Sequence, residues 1–412
     1  MNGLIAPQPS LRRLDLHYIA MQIGYWAMFA AICAYLAALL GARGFSNSQI
    51  GLLIAIRCLA GIVCQPLLGG FADRHPEIPL KVIVSLSLAL SLAASLVFLL
   101  WPMGMGGTAV ILIILGGFEI SAYPLMDAMA IQFINAGVPI RYSLGRGIGS
   151  MAYAVTCAGL GLQTQTLGVE STLVTHAVLV AAVIALTITY PAFRAAPAAA
   201  DAPPAEKPHS VWYLLKNNPP FALMLLAILL GITACLPMSN FLVNVVESRG
   251  GNSADLGVAL FLMGGFELPT AFFFQRMLRR LGSGKLILIS MAFTVLKAAA
   301  LLLSFNLTTL FLAQPLQMLG YGLFTPASVY FVNESVPQAD RVRGQTVMMV
   351  ASNGMGGMLG SYISGLALDA GASLPMGGAN LMLLCCIALG CAATALAAVA
   401  LALRKKSKRG NL

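Results

Sequence analysis

The chain has 412 residues, of which 59% are hydrophobic and only 9% charged, against roughly 25% charged in a soluble domain. So few charges cannot cover a water-facing surface. This excludes a soluble globular protein, a disordered chain and a nucleic-acid-binding protein, despite a net charge of +10. The apolar runs are continuous rather than alternating, which argues against a transmembrane barrel and for helices. A spanning helix needs about 20 apolar residues, and twelve spans of ~22 residues would use roughly 260 positions and leave about 150 for loops and tails.

In chain order, the opening MNGLIAPQPSLRRLDL has no short apolar core followed by a small-residue cleavage site, so it does not read as a signal peptide. The first apolar run is then a retained span. Spans are predicted near 17–40, 47–71, 79–101, 108–135, 142–164 and 172–193, and again near 219–245, 253–275, 284–305, 308–332, 343–368 and 377–403. The expected fold class is all-α integral membrane, with two pseudo-symmetric six-helix bundles over 1–193 and 219–403. Residues 194–218, rich in Ala, Pro and charge, read as a linker with a short interfacial helix around Val211–Lys216. Residues 404–412 form a basic tail.

With the N-terminus in the cytoplasm, nineteen lysines and arginines fall in inner loops and tails, and only Arg43 and Arg249 in outer loops. That asymmetry predicts cytoplasmic termini in a bacterial-type inner membrane. All eight cysteines lie in apolar runs without CxxC spacing and read as packing residues. His17, His75, His176 and His209 read as scattered over ends and loops, so no metal is expected; nor is a Walker A motif or a catalytic cluster present. GRGIG at 145–149 and the small-residue run Ser352–Gly365 read as surfaces for close helix packing.

Six charges remain inside spans: Arg57, Glu119, Asp127, Arg146, Glu267 and Lys297. Each would cost ~2.5–3.5 kcal/mol or more at a helix centre facing lipid, so they should pair or line a cavity. Asp127 and Arg146 flank a short turn and reach similar depth, with Tyr153 two helical turns beyond Arg146. Carboxylate, guanidinium and ring suit a polyhydroxylated ligand; the bland reading is an ion pair that only locks two helices. Arg57 is the most plausible partner for Glu119, as a structural pair.

At these residues the chain resembles the major facilitator superfamily, within it the lactose permease type of oligosaccharide:proton symporters and its phenylpropionate and nucleoside relatives. Gly69–Arg74, GGFADR, is similar to the conserved cytoplasmic loop after span 2, although His75, Pro76 and Glu77 replace what usually follows. Pro124–Ala128 and Arg141–Tyr153 resemble the stretches of helices 4 and 5 that carry the sugar-site carboxylate, Arg and aromatic. Met263–Ala271 resembles the helix 8 stretch with a sugar-ligating carboxylate, and Lys297 falls where the family has a coupling Arg. Gln317 and Gly320 occupy the places of the permease's His and Glu on helix 10, so that coupling carboxylate is absent.

The expectation is a secondary transporter of a small polar solute, sugar or oligosaccharide first, working by alternating access and driven by protons, with no cofactor and as a monomer. Nucleosides or aromatic acids are the alternative substrates, and multidrug or sugar efflux the alternative activity. The resemblance implies solute binding by Asp127, Arg146, Tyr153 and Glu267. A charge network of Lys297, Glu119, Arg57 and Gln317 is expected, with Asp127 and Glu267 as the candidate proton carriers and Glu119 third. Asp73 and Arg74 are assigned to gating at a cytoplasmic turn.

Overall fold

The computed structural model describes residues 11–193 and 209–410; the linker stretch 194–208 lies outside them. Twelve helical rods follow one another among the described residues. The first six are α1 (Leu11–Cys33 continued by Leu36–Ala42), α2 (Asn47–Arg74), α3 (Leu80–Leu100), α4 (Met105–Asn135), α5 (Tyr142–Leu167) and α6 (Ser171–Thr189). The short helix expected around Val211–Lys216 is found at Val211–Asn217. Then come α7 (Pro219–Asn240 continued by Leu242–Ser248), α8 (Ser253–Gly265 and Leu268–Leu281) and α9 (Ser283–Leu302). Last are α10 (Leu307–Ala313 to Tyr321–Ser335), α11 (Arg341–Met349 to Gly357–Gly371) and α12 (Gly378–Gly410).

Eight rods are long and apolar enough to cross a bilayer unaided. The other four are α5, α8, α10 and α11, which are polar, glycine-rich or broken. Isolated in lipid they would leave backbone or polar groups unsatisfied, which is tolerable only when protein or a cavity surrounds them. Polar caps set many starts: Ser46 with Gln49, Asn252 with Asp255 and Asn306 with Thr309 close reciprocal boxes, and Asn218 caps α7 ahead of Pro219 and Pro220.

A repeat is written into the turns. α1 ends in Arg43-Gly44 and α7 in Arg249-Gly250, with both glycines at positive φ (85° and 79°), where a side chain would be strained. Arg43 donates to the Phe98 carbonyl at the end of α3 and to Glu170 before α6. Arg249 donates to the Leu301 carbonyl at the end of α9 and to Asn380 at the start of α12. The same knot is thus tied at the same place in both halves.

Within the first half α1 packs on α5 and α6, α2 on α4, and α3 on α6; within the second, α12 packs on α7, α9 and α11. Apolar burial divides by depth. At the basic end, which carries both chain ends, each half has its own core: one built around Tyr18, Met28, Val84, Met126 and Val183, the other around Phe221, Ile228, Ile287, Phe331 and Ala397. At the opposite end a single core runs through both halves, joining Leu39, Leu53, Phe98 and Leu160 to Met238, Leu256, Leu260 and Leu368.

That shared end is drawn together by bare backbone. A β-carbon on Gly365 would lie 2.2 Å from the Asn47 carbonyl oxygen, and one on Gly51 2.4 Å from that of Ser361, so α2 and α11 touch main chain to main chain. Gly161 and Gly257 bring α5 and α8 together in the same way. Asp369, at the end of α11, accepts hydrogen bonds from the main-chain N–H groups of Asn47 and Ser48 and from the Asn47 side chain. It therefore caps α2 across the seam. The expectation that the glycine-rich stretches serve close packing holds here, and also for Gly145 and Gly149, which Tyr18 and Trp26 cover.

At the basic end the linker's exit is tied to the second half. The His209 main-chain N–H and ring both reach the Asp340 carboxylate (2.7 and 2.8 Å), and the Arg343 guanidinium donates to the His209 carbonyl. Burial alone would raise the Asp340 carboxyl, but those contacts with His209 hold it below the usual carboxylate range.

Candidate functional site

The Asp127–Arg146 pair forms. Pro124 lies inside α4, and a wide π turn over Leu115–Glu119 precedes it. Arg146 Nη1 reaches Asp127 Oδ2 at 3.0 Å, despite unequal distances from the turn. Asp127 is more crowded than the sequence suggests. Oδ2 also accepts from Tyr142 (2.9 Å), and Oδ1 accepts from Tyr18 (3.0 Å) and Gln22 (2.8 Å). Four donors therefore occupy both oxygens of a nearly buried carboxylate. The Arg146 side chain stays 38% exposed, with its guanidinium carbon 5.0 Å from the Tyr123 ring centroid.

Asp127 is thus an anchor, and Arg146 is the group that faces open space. Tyr123 rather than Tyr153 is its aromatic partner. Tyr123 packs against Tyr25 (4.8 Å between centroids) and Trp26 (5.2 Å), and Trp26 meets Tyr153 edge-on at 6.3 Å. Tyr18, Gln22, Trp26, Tyr123 and Tyr142 were not singled out from the sequence. The spacing of 18, 22 and 26, one polar or aromatic residue per helical turn, was the available signal.

The second half contributes through its broken helices. Glu267 sits at the interruption of α8, and Gln317 in the tight turn Gln314–Met318 that interrupts α10. Lys297 Nζ, almost wholly buried, donates to Gln317 Oε1 at 2.8 Å, and Gln317 also lies near Glu267. Lys297 and Glu267 make no direct salt bridge; the amide stands between them. Gly322 leaves room for Glu267, since a β-carbon there would lie 3.3 Å from its Cγ. Gly264, one turn before Glu267 on α8, packs against Ala154 and Tyr153 of α5, which brings the two halves together beside Glu267. Asn353, exposed within the π turn Val350–Gly356 of α11, accepts from the Tyr321 hydroxyl at 3.5 Å.

Glu119 and Arg57 lie apart from this space, inside the first bundle, with Arg57 Nη2 3.9 Å from Glu119 Oε1. The assignment of all four histidines to ends and loops needs correction. His176 is fully buried in α6, 3.3 Å from Glu119 Oε2. A histidine within an apolar run reads as a helix-end residue until tertiary packing shows a carboxylate opposite it. Among the described residues, Asp73 and Arg74 make no contact across the halves in this conformation. Arg74 donates back to the Gly70 carbonyl of its own helix.

The family model described as MFS_1 like matches residues 17–375. The chain belongs to this major facilitator family. It is a multi-pass membrane transporter of the major facilitator type. It is 22% identical over 358 residues to the maltose permease of Geobacillus stearothermophilus, covering 86% of each chain. Among solved structures it is similar to the nucleoside transporter NupG (TM-score 0.77, 17% identity, 95% of this chain and 99% of that one). It is also similar to a mutant form of a peptide transporter, POT (TM-score 0.71, 14% identity, 98% and 96%). At such identities the likeness shows the fold alone.

Proposed function

We propose that this chain is a secondary active transporter of a neutral, polyhydroxylated solute, sugar or oligosaccharide first, working by alternating access. The observation that carries this is the Arg146 guanidinium. It is fixed by a donor-saturated Asp127, backed by Tyr123, and left with free N–H groups at the space where the halves meet. Such a fork recognises hydroxyl and ring oxygens, and the aromatic faces of Trp26, Tyr123 and Tyr153 match the apolar faces of a sugar ring. The maltose permease relationship supports the same class. A nucleoside is the second reading, favoured by that aromatic cluster, on which a base could stack, and by the likeness to NupG.

The joined core at one end and separate cores at the other support a state open toward the basic end. By the positive-inside rule that end is cytoplasmic, so this is an inward-facing conformation. Among the solute-site carboxylates Glu267 is the better proton carrier. Both oxygens of Asp127 already hold donors, whereas Glu267 faces the amide of Gln317 with Lys297 behind it.

The test is a thermal-shift series on purified protein with maltose, longer glucosides, nucleosides and aromatic acids, since a ligand that binds only the folded state raises its apparent stability. A glucoside should stabilise the wild type and leave Arg146→Ala unmoved. Stabilisation by nucleosides alone selects the second reading. Equal shifts in Arg146→Ala and wild type reject the site.

A further inference from the structure

The first bundle holds a cluster of ionisable groups that the solute site does not use. Glu119 and His176 are wholly buried and Arg57 is 4% exposed. Around them stand Tyr25 and Cys33 from α1, Cys58 from α2 and Ser95 from α3. Among the described residues the titratable groups here are Tyr25, Cys33 and Cys58; α4 supplies Glu119 itself and α6 His176. The cluster is loosely joined. Both Glu119 carboxylate oxygens, His176 Nε2 and Arg57 Nε and Nη2 lack any hydrogen bond of good geometry. A purely structural ion pair in so dry a place should be tightly bonded, because each unsatisfied buried group is costly.

The geometry accommodates two protonation states without moving a heavy atom. Ser95 Oγ lies 2.8 Å from His176 Nδ1, and either atom can be the donor. With a neutral ring, the serine hydroxyl donates to Nδ1 and the ring hydrogen sits on Nε2, 3.3 Å from Glu119 Oε2. With one more proton, Nδ1–H donates to Ser95, whose hydroxyl hydrogen rotates away, and Nε2–H⁺ faces the carboxylate at 3.3 Å. Glu119 is then drawn to His176; when the proton leaves, Arg57, 3.9 Å away, is its remaining counter-charge. Arg57 and Glu119 together are neutral, so the cluster gains one positive charge per proton bound.

We propose that Glu119 and His176, with Arg57 as counter-charge and Ser95 as a hydroxyl rotor, form a proton-binding site inside the first bundle, distinct from the solute site. Its state reaches that site through rings. The Tyr25 hydroxyl donates to the Glu119 carbonyl, the Tyr25 ring stacks on Tyr123, and Tyr123 backs Arg146. Coupling to transport rests on the transporter reading above; the proton site does not.

The test needs no solute. Purified protein labelled with nitrogen-15 in histidine is titrated from about pH 5 to about pH 9, the range in which imidazole changes charge. The His176 ring signals are assigned by their loss in His176→Gln. If that variant does not fold, a form with His17→Gln, His75→Gln and His209→Gln leaves His176 as the sole histidine. The proposal expects the ring to pass between a neutral tautomer and the doubly protonated form. It further expects Glu119→Gln to weaken proton binding about tenfold, a shift of about one pH unit. Where Glu119→Gln does not fold, Ser95→Ala should alter the tautomer or midpoint instead. A His176 ring that keeps one form across the whole range overturns the proposal, as does a midpoint indifferent to the folded variant among these two. Either result leaves the ligand-binding test of the transporter reading untouched.

Discussion

At the scale of single residues, Asp127 and Arg146 divide the work. Asp127 accepts four hydrogen bonds from its own chain and has no capacity left for a solute, whereas Arg146 has several donors still free. Arg146→Ala should therefore weaken solute binding by ~1.5–3 kcal/mol, or about 10–150-fold, in a direct binding titration. Arg146→Lys should be nearly as harmful, because an ammonium cannot both hold Asp127 and present a planar fork. The double variant Asp127→Asn with Arg146→Gln separates function from stapling. Normal transport there, by uptake in whole cells, would mean the pair only locks α4 to α5. The charges of this site are legible in the sequence because ionised groups inside apolar runs need a reason to be there. Tyr18, Gln22, Tyr123 and Tyr142 are not, because uncharged polar residues are common in spans and only the folded chain aims them at Asp127.

At the scale of elements, the apolar runs delimit the helices closely, and the interruptions are only partly marked. The break at Glu267 in α8 and the tight turn at Gln317 in α10 sit beside Pro269 and Pro315, whereas the π turns ending at Glu119 and Gly356 have no proline to mark them. Their irregularity is stabilised by packing between helices, which periodicity within one helix cannot report. The seam between α2 and α11 is likewise fixed by glycines whose partners lie in the other half of the chain. Gly365→Ala would drive a methyl into the Asn47 carbonyl. Such overpacking costs about 1–3 kcal/mol and should shift the population between conformations about 5–150-fold toward the form parted at that end. Spin-label distances across the Asn47–Asp369 seam, measured in wild type and variant, check this.

At the scale of the whole molecule, the repeated Arg-Gly turns and the one-ended core describe two similar bodies, which the alternating access proposed above would rock about a common site. The opposite conformation of that cycle would bring the basic ends together, where among the described residues Asp73 and Arg74 now touch nothing across the halves. Asp73→Asn should slow transport while solute affinity stays within a few fold; abolished binding would show that Asp73 acts elsewhere. A reporter domain joined after Gly410 should register in the cytoplasm, and a periplasmic signal would reverse the orientation drawn from loop charge. The Asp369 cap carries a further consequence. The main-chain amides of Asn47 and Ser48 are held by this carboxylate only while the halves are joined at its end. Once the seam parts, both return to water and exchange their hydrogens for deuterium. Isotope uptake at these two amides becomes a clock for the opening of that end, readable without an attached probe or a mutation.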